Sequence, residues 1–292
     1  QVGSRYRLVK VLGYGSYSAV CLAVDEATGE KVALKRVADV LQSPEHTKRV
    51  LREICILRRL RHPNLIGIRD AFVRPSATGH VDVYIAMELA DGGDLFHLRG
   101  QMSSEEVRSL MWQLIVTIKY LHSIHVWHRD MKSQNVFLVW EGGERVIKVG
   151  RGSKAGFKAP LTRVVATPCY RAPEVVMSRG GYTASIDMWS LGCIFGELLQ
   201  RIAHPPGIAC WPATPLQALF AVIGTPCWAD VAAVQEPSWR RYLHHLPGRA
   251  PTLYRRFAAA GEAAVDLLSR LLAFDPTRRC SPDEALAHEY FA

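Results

Sequence analysis

The spacing of apolar residues changes part-way along this chain, and that change constrains the fold more than any other feature. Over residues 1–87, short runs of alternating apolar and polar residues are separated by turns. One stretch there, 48–61, instead repeats its apolar residues every three or four positions. From residue 105 the helical spacing dominates, as in 107–121 and 186–199. The pattern predicts an α+β chain with a small strand-rich lobe followed by a larger helical lobe.

A capping box marks the start of the last predicted helix. Ser281 is followed three residues later by Glu284, and Pro282 occupies the first helical position between them. The serine hydroxyl and the glutamate carboxylate can each satisfy a backbone N–H group that has no partner within the helix. The sequence therefore predicts that a helix begins at Pro282.

The net charge of +9 raises the question of a polyanionic partner. The densest basic stretch is 48–61, with six lysine and arginine residues. Its apolar residues Val50, Ile54, Leu57 and Leu60 recur at helical spacing, which predicts one helix with a buried stripe and a solvated basic face. Because no aromatic stacking platform or base-reading motif accompanies the charge, nucleic acid is not expected as a partner.

Cysteine usage and apolar run lengths restrict the setting of the chain. The seven cysteines are odd in number and form no CxxC pair, so neither a zinc ribbon nor a closed disulfide set is expected. No apolar run reaches the roughly 20 residues that a membrane-spanning helix requires. We therefore expect a reducing intracellular setting, cytoplasmic or nuclear, and no membrane partner.

Two motifs in the strand-rich part point to phosphate chemistry. The stretch GYGSYSAV, residues 13–20, places Gly13 and Gly15 in a turn between two strands, where a backbone without side chains can approach a phosphate. A glycine-rich turn alone is more often only a turn. Farther along, Lys35 ends the strand motif VALK, and Glu53 lies in the basic helix. These two residues can pair so that the lysine ammonium is held ready for a polyphosphate.

A polar loop after the 107–121 helix adds a third motif that points to phosphate chemistry. Its sequence, HRDMKSQN, supplies Asp130, Lys132 and Asn135 within six residues. Asp130 can accept a hydroxyl proton, and Asn135 can hold a metal ion. Lys132 lies between them, where it can meet a transferring phosphate.

Further motifs follow in order, APE at 172–174 and DMWSLGC at 187–193, and with them the chain resembles a eukaryotic protein kinase. VATPCYRAPEVV and the segment 206–226 are similar to the MAP kinases of the CMGC group. The resemblance implies a bilobal kinase fold and one kinase domain. The boundaries that it implies are 1–292 for the domain, 1–87 for the N-lobe, 88–93 for the hinge and 94–292 for the C-lobe.

The resemblance also implies ATP as cofactor and assigns roles to individual residues. The ATP-binding residues would be Gly13, Gly15, Val20, Ala33, Lys35, Met87, Glu88, Ala90 and Phe137. The catalytic residues would be Asp130, Lys132, Lys35 and Glu53, with Asn135 as a metal ligand. The regulatory residues would be Thr162, as a phosphorylation site, with Arg52, Arg129 and Arg171. The structural residues would be Asp187 and the pair formed by Glu174 and Arg279.

The chain departs from the family pattern at the Asp-Phe-Gly motif. Aligned without a gap, the stretch KVGRGSKA places Arg151 where the family has the aspartate that holds magnesium. A shift by one residue would place Gly150 there, but Lys148 and Ala155 fit the ungapped alignment better, and neither alignment restores a carboxylate. Between residues 145 and 173 there is no aspartate or glutamate, whereas seven residues are basic. The resemblance therefore implies Mg2+, but this segment argues against its binding.

Three interpretations of the function follow from these observations. The first is a MAP-kinase-like domain with impaired or absent phosphotransfer that acts through protein substrates or scaffold partners, under an upstream MAP kinase kinase. The second is an active proline-directed serine/threonine kinase, which the intact Lys35, Glu53, Asp130, Lys132 and Asn135 favour. The third is an error in the gene model over 150–156, which would explain the local departure from the pattern.

Overall fold

The small unit is built on an antiparallel sheet. In this computed structural model, which describes residues 2–15, 18–76, 79–150, 156–157, 168–177, 182–203 and 216–292, the chain forms two units, Gln1–Gly92 and Gly93–Ala292. The strands of the small unit are β1 (Tyr6–Gly15), β2 (Ser18–Asp25), β3 (Lys31–Val37), β4 (Ile68–Pro75) and β5 (Val81–Glu88). Their order across the sheet is β1-β2-β3-β5-β4, so that β4 lies at one edge.

The two faces of this sheet are buried by different groups, as the period-two pattern requires. Val32 and Leu34 point to one face, where they pack with Tyr6. Val37 and Ile85 point to the other face and pack against Val50 of the helix α1 (Pro44–Arg59). The helix therefore covers the face on which the odd-numbered residues of β3 lie.

The sequence of α1 accounts for both of its ends and for its buried stripe. Its N-terminus is capped by Ser43, whose side chain accepts a hydrogen bond from the backbone N–H of His46 at 3.2 Å. Val50, Ile56 and Leu57 are buried, while the basic residues of the helix remain exposed. The predicted helix with a buried stripe and a basic face is confirmed, although it ends at Arg59, before Arg61.

The large unit is mostly helical. Its helices are α2 (Ser104–Ser123), α3 (Pro173–Met177), α4 (Ser185–Ala203), α5 (Leu216–Ile223), α6 (Trp228–Ala233), α7 (Pro237–His244), α8 (Leu253–Arg256), α9 (Glu262–Leu271) and α10 (Pro282–Leu286). The core contains fully buried side chains of α2, α4 and α9, such as Leu114, Leu191 and Leu268. Within the residues just given for the structure, no helix combines the length and the apolar character needed to cross a membrane.

Short strands join the helices of the large unit. β7 (Val136–Glu141) and β8 (Glu144–Val149) form a hairpin, and β6 (Val126–Trp127) pairs with β9 (Gly156–Phe157). The predicted capping box at α10 is present, because Ser281 and Glu284 exchange side-chain to backbone hydrogen bonds. A sheet-rich small unit and a helical large unit confirm the predicted α+β class.

Candidate functional site

The small unit contributes an ion pair between its central strand and its helix. The Nζ atom of Lys35 on β3 lies 2.6 Å from Oε1 of Glu53 on α1. The lysine and glutamate side chains are 15% and 11% exposed, so the pair is sheltered but still reachable from solvent. The predicted pairing is present because Lys35 points to the sheet face that α1 covers.

The strand pairing brings other predicted ATP-binding residues of this unit next to Lys35. Gly13 on β1 is paired with Val20 on β2, which is in turn paired with Lys35. Ala33, which lies on β3 with Lys35, is paired with Met87 on β5. Gly15 ends β1, and Glu88 and Ala90 lie at and beyond the end of β5. These predicted ATP-binding residues therefore lie on or next to neighbouring strands of the same sheet.

The large unit holds the polar loop 128–135 between β6 and β7. Asn135 donates from its side-chain nitrogen to the backbone carbonyl of Asp130 at 2.7 Å, and the same nitrogen lies 3.4 Å from the carboxylate of Asp130. The Nζ atom of Lys132 lies 3.9 Å from that carboxylate. The structure thus brings together Asp130, Lys132 and Asn135, the three side chains of this loop that the sequence singles out.

A fully buried carboxylate fixes the backbone of this loop. Asp187, in the first turn of α4, accepts hydrogen bonds from the backbone N–H groups of His128 at 2.9 Å and Arg129 at 2.8 Å. The imidazole of His122 lies 3.0 Å from the same carboxylate. Burial alone would raise the pKa of Asp187, but the bonds from His122 and Arg129 outweigh it and lower the pKa below its ordinary value. Asp187 therefore stays ionised and holds the loop in place.

His128 and Asn135 attach the end of β8 to the same loop. The Nδ1 atom of His128 accepts from the backbone N–H of Asp130 at 3.3 Å, so its Nε2 atom donates to the carbonyl of Gly150 at 3.0 Å. The backbone N–H of Gly150 donates to the carbonyl of Asn135 at 2.8 Å. Both backbone groups of Gly150 are thereby tied to the loop that carries Asp130.

Phe137, the predicted floor of the adenine pocket, lies on β7 beside Gly150. A Cβ atom added at Gly150 would lie 2.6 Å from the ring of Phe137, far inside van der Waals contact. The absence of a side chain at 150 therefore makes room for an aromatic ring at 137.

A second buried network contains residues that the sequence reasoning did not single out. The hydroxyl of Tyr170 lies 2.8 Å from the hydroxyl of Ser133 and donates to Glu197 at 2.6 Å. Burial raises the pKa of Glu197, although the hydrogen bonds from Tyr170 and Ser133 oppose this change. One signal was available, because Glu197 interrupts an otherwise apolar helix and a buried charge needs partners.

Arg279 and Glu174 form the structural pair that the resemblance implies. Two guanidinium nitrogens of Arg279 donate to the two carboxylate oxygens of Glu174, at 2.7 and 3.0 Å. Arg279 also donates to the backbone carbonyls of Ser185 and Ala273, and its side chain is completely buried. This bidentate pair joins the first turn of α3 to the segment between α9 and α10.

The structure describes some of the predicted regulatory residues and not others. Arg151 and Thr162 lie outside the described residues. Arg52 is exposed on α1, and Arg171 is half-buried. Arg129 is buried at 7% exposure, and its guanidinium lies 5.2 Å from the ring centre of Trp127. Of the described residues, no three His, Cys, Asp or Glu side chains gather as a group that could hold a metal ion.

Each unit thus presents one part of the chemistry that phosphoryl transfer requires. The small unit offers a lysine ammonium held by a carboxylate, which suits a polyphosphate. The large unit offers a carboxylate that can accept a hydroxyl proton, with a lysine and an amide beside it.

Comparisons with known proteins agree with this arrangement. The family model described as "Protein kinase domain" matches residues 6–291. Mitogen-activated protein kinase 10 of Oryza sativa subsp. japonica is 37% identical over 296 residues, which cover 99% of this chain and 48% of the relative. Extracellular signal-regulated kinase 1 of Dictyostelium discoideum is also 37% identical over 296 residues, covering 99% and 55%. Mitogen-activated protein kinase 7 of Arabidopsis thaliana is 34% identical over 297 residues, covering 100% and 80%.

The coverage differs between these relatives. The chain spans about half the length of the first two and four fifths of the third. The match nevertheless includes almost every residue of this chain, including the polar loop and the paired lysine. This chain therefore belongs to the protein kinase family and forms a MAP-kinase-like protein kinase domain.

Proposed function

We propose that this domain binds nucleotide but has impaired or absent phosphotransfer, and that it acts through protein partners. The observation that carries the proposal is the attachment of Gly150 to His128 and Asn135. The described chain reaches residue 150 beside the polar loop, and the next residue in the sequence is Arg151. In the family pattern an aspartate at this point holds the catalytic magnesium.

The donors present fit a magnesium ion incompletely. Magnesium favours an octahedron of oxygen ligands that includes one or two carboxylates. Asn135 can offer its side-chain oxygen, because its nitrogen is the atom bonded to Asp130. Residues 145–173, however, contain no acidic side chain. A unit charge repels a like charge at 4 Å by roughly 4 kcal/mol at an effective dielectric near 20, so Arg151 at this point opposes a divalent ion.

The same substitution favours a nucleotide without its metal. A guanidinium presents a planar fork of donors that matches phosphate oxygens. Lys35, held by Glu53 at 2.6 Å, and Arg151 would together neutralise part of the phosphate charge. A side chain does not reproduce the in-line clamp of a bridging metal, so the bound nucleotide would react poorly.

The metal dependence of nucleotide binding tests this proposal. We expect calorimetry to detect ATP binding in EDTA and little gain in affinity when excess magnesium is added. Arg151→Ala should weaken the binding measured in EDTA. If binding requires magnesium, or if it is unchanged in Arg151→Ala, the proposed role of the arginine is wrong.

The alternative is an active proline-directed serine/threonine kinase. It is favoured by the formed ion pair between Lys35 and Glu53 and by the way Asp187 fixes the loop of Asp130. In this function Asp130 would accept the proton of a substrate hydroxyl, and Lys132 would meet the transferring phosphate.

Phosphotransfer to a peptide containing Ser-Pro separates the two functions. We expect no transfer above that of Asp130→Asn, the matched control for the catalytic carboxylate. The triple substitution Arg151→Asp, Gly152→Phe and Ser153→Gly should raise the rate, because the polar loop is already in place. Transfer by the unaltered protein that disappears in Asp130→Asn would establish the active kinase instead.

Regulation by an upstream MAP kinase kinase is part of the proposal. Thr162 would be its target, and Arg52 and Arg129 would receive the phosphate through charge-assisted hydrogen bonds. Phosphorylation should then increase the protection of the segment around Thr162 in hydrogen exchange. Unchanged protection would show that the two arginines do not form a receiving site.

A further inference from the structure

The basic face of the small unit contains a cavity that the proposed nucleotide site does not use. Its volume is about 360 Å³, and it lies between the end of α1 and the start of the edge strand β4. Three exposed arginines line it, and the remaining lining residues belong to β4. The lining residues are Arg58, Arg61, Ile68, Arg69, Asp70 and Ala71.

The charged side chains that line this cavity are mostly basic. Asp70 is the acidic residue among those that line it, and its carboxylate already accepts hydrogen bonds from Arg5 at 3.2 Å and from Tyr6 at 3.3 Å. Within the described part of the chain, neither Arg58 nor Arg69 forms an ion pair or a side-chain hydrogen bond. Three arginines and one aspartate give the lining side chains a summed charge of +2.

The arginines come from three different local structures, which argues against a merely solvated helix face. Arg58 belongs to the last turn of α1, where a basic residue also interacts favourably with the helix C-terminus. Arg61 lies in the following loop, where it donates to the carbonyl of Leu60 at 3.2 Å. Arg69 lies at an irregularity in the pairing of β4 with β5, and such bulges redirect side chains. Interaction with the helix dipole can account for Arg58, but it does not account for Arg61 or Arg69.

We propose that this cavity, the α1–β4 arginine pocket, binds a phosphoserine or phosphothreonine side chain of a partner protein. A phosphate monoester carries a charge of about −1.5 to −2 at neutral pH, which matches the excess positive charge. Guanidinium groups bind its oxygens in pairs, and exposed arginines reach it without prior desolvation. The cavity has room for a phosphate together with the side chain that carries it.

Binding of a short glycine–alanine peptide with one central phosphoserine tests the proposal. Fluorescence anisotropy should show saturable binding that weakens as salt is added, and little binding of the unphosphorylated peptide. Arg58→Gln and Arg69→Gln should each weaken binding of the phosphopeptide by roughly tenfold or more, as expected for the loss of one charge-assisted hydrogen bond. Arg59→Gln is the matched control, since Arg59 is exposed on the same turn but does not line the pocket. It should change affinity less than about twofold.

Further measurements control for stability and distinguish the source of the phosphate and the place where it binds. Thermal unfolding of each variant should match that of the unaltered protein, because the substituted arginines are exposed. The proposal is overturned if the phosphopeptide does not bind, or if Arg59→Gln weakens it as much as Arg69→Gln does. It is also overturned if inorganic phosphate or a single-stranded oligonucleotide binds as tightly as the phosphopeptide. Loss confined to Arg52→Gln would assign the peptide to the proposed activation-segment receiver instead.

Discussion

Lys35 in the small unit meets one carboxylate oxygen at 2.6 Å, whereas the carboxylate of Asp187 in the large unit has three close donor groups around it. Asp187 is completely buried, and both side chains of the Lys35–Glu53 pair remain more than a tenth exposed. The fold thus fixes the polar loop regardless of any ligand, while it leaves the lysine able to exchange its partner. We expect substitutions in the large unit to lower stability and those at the ion pair of the small unit to act mainly on nucleotide binding.

The strongest test of this difference removes a fully buried cation. Arg279→Met leaves the carboxylate of Glu174 buried without its partner, which should lower the free energy of unfolding by about 4 kcal/mol. Urea denaturation at neutral pH measures the change. Arg278→Met is the matched control, because Arg278 is 66% exposed and makes a single ion pair with Asp230. It should cost less than about 1 kcal/mol, and equal losses would contradict the assigned role of burial.

Asp187→Asn should have the next largest effect. The amide would turn an N–H group toward backbone donors, so we expect a loss of about 3 kcal/mol in the free energy of unfolding.

The pH dependence of this effect follows from the lowered pKa of Asp187. Its folded-state pKa lies below the unfolded value of about 3.9, so its stabilisation is complete above that pH and is lost as the pH falls through the folded pKa. The difference between Asp187→Asn and the unaltered protein should therefore persist down to about pH 4. Repeating the comparison with His122→Gln in both proteins removes the imidazole that lies beside the carboxylate. A difference that still disappears between pH 7 and pH 5 would be inconsistent with a lowered pKa.

Tyr170→Phe should have an intermediate effect. It removes the hydroxyl that lies between Ser133 and Glu197, which should cost about 1.5 kcal/mol. Glu197 would lose a donor that favours its charged form, so its already raised pKa should rise further. Tyr254→Phe, at a half-exposed tyrosine, should leave the unfolding midpoint unchanged. A loss of similar size in both variants would show that the buried network adds nothing specific.

The smallest expected loss of stability is at the ion pair of the small unit. Glu53→Gln keeps the shape of the side chain and should lower the free energy of unfolding by about 1 kcal/mol, as for a partly exposed pair. The same variant should weaken ATP binding, because the ammonium of Lys35 is no longer oriented. A stability loss as large as that of Arg279→Met would remove the contrast between the units.

The local features of this structure could be predicted from the sequence because each rests on a short spacing rule. The capping box joins Ser281 to Glu284 within one turn, and the stripe of α1 follows the helical period. The pairing of Lys35 with Glu53 needed only a strand and the helix that follows it. Each of these interactions depends on residues that are close in the chain or in consecutive elements.

The features that the sequence reasoning missed depend on distant residues or on partial burial. Tyr170 meets Ser133 and Glu197 across 37 and 27 residues, and no spacing rule joins such positions. The strand β4 contains Arg69, Asp70 and Arg74, and no side chain along it is fully buried. An edge strand of this kind lacks the regular alternation by which strands are recognised. The α1–β4 arginine pocket was missed for the same reason, since one of its walls is this strand.

The close approach of Gly150 and Phe137 makes these two positions interdependent in evolution as well as in space. Any residue other than glycine at 150 would push its Cβ atom into the aromatic ring, so a substitution there requires the ring to move or to be replaced. Among natural variants of this chain, a larger residue at 150 should therefore occur together with a smaller one at 137. A smaller aliphatic residue at 137, by contrast, would remove the ring atom that lies nearest to a Cβ atom at 150.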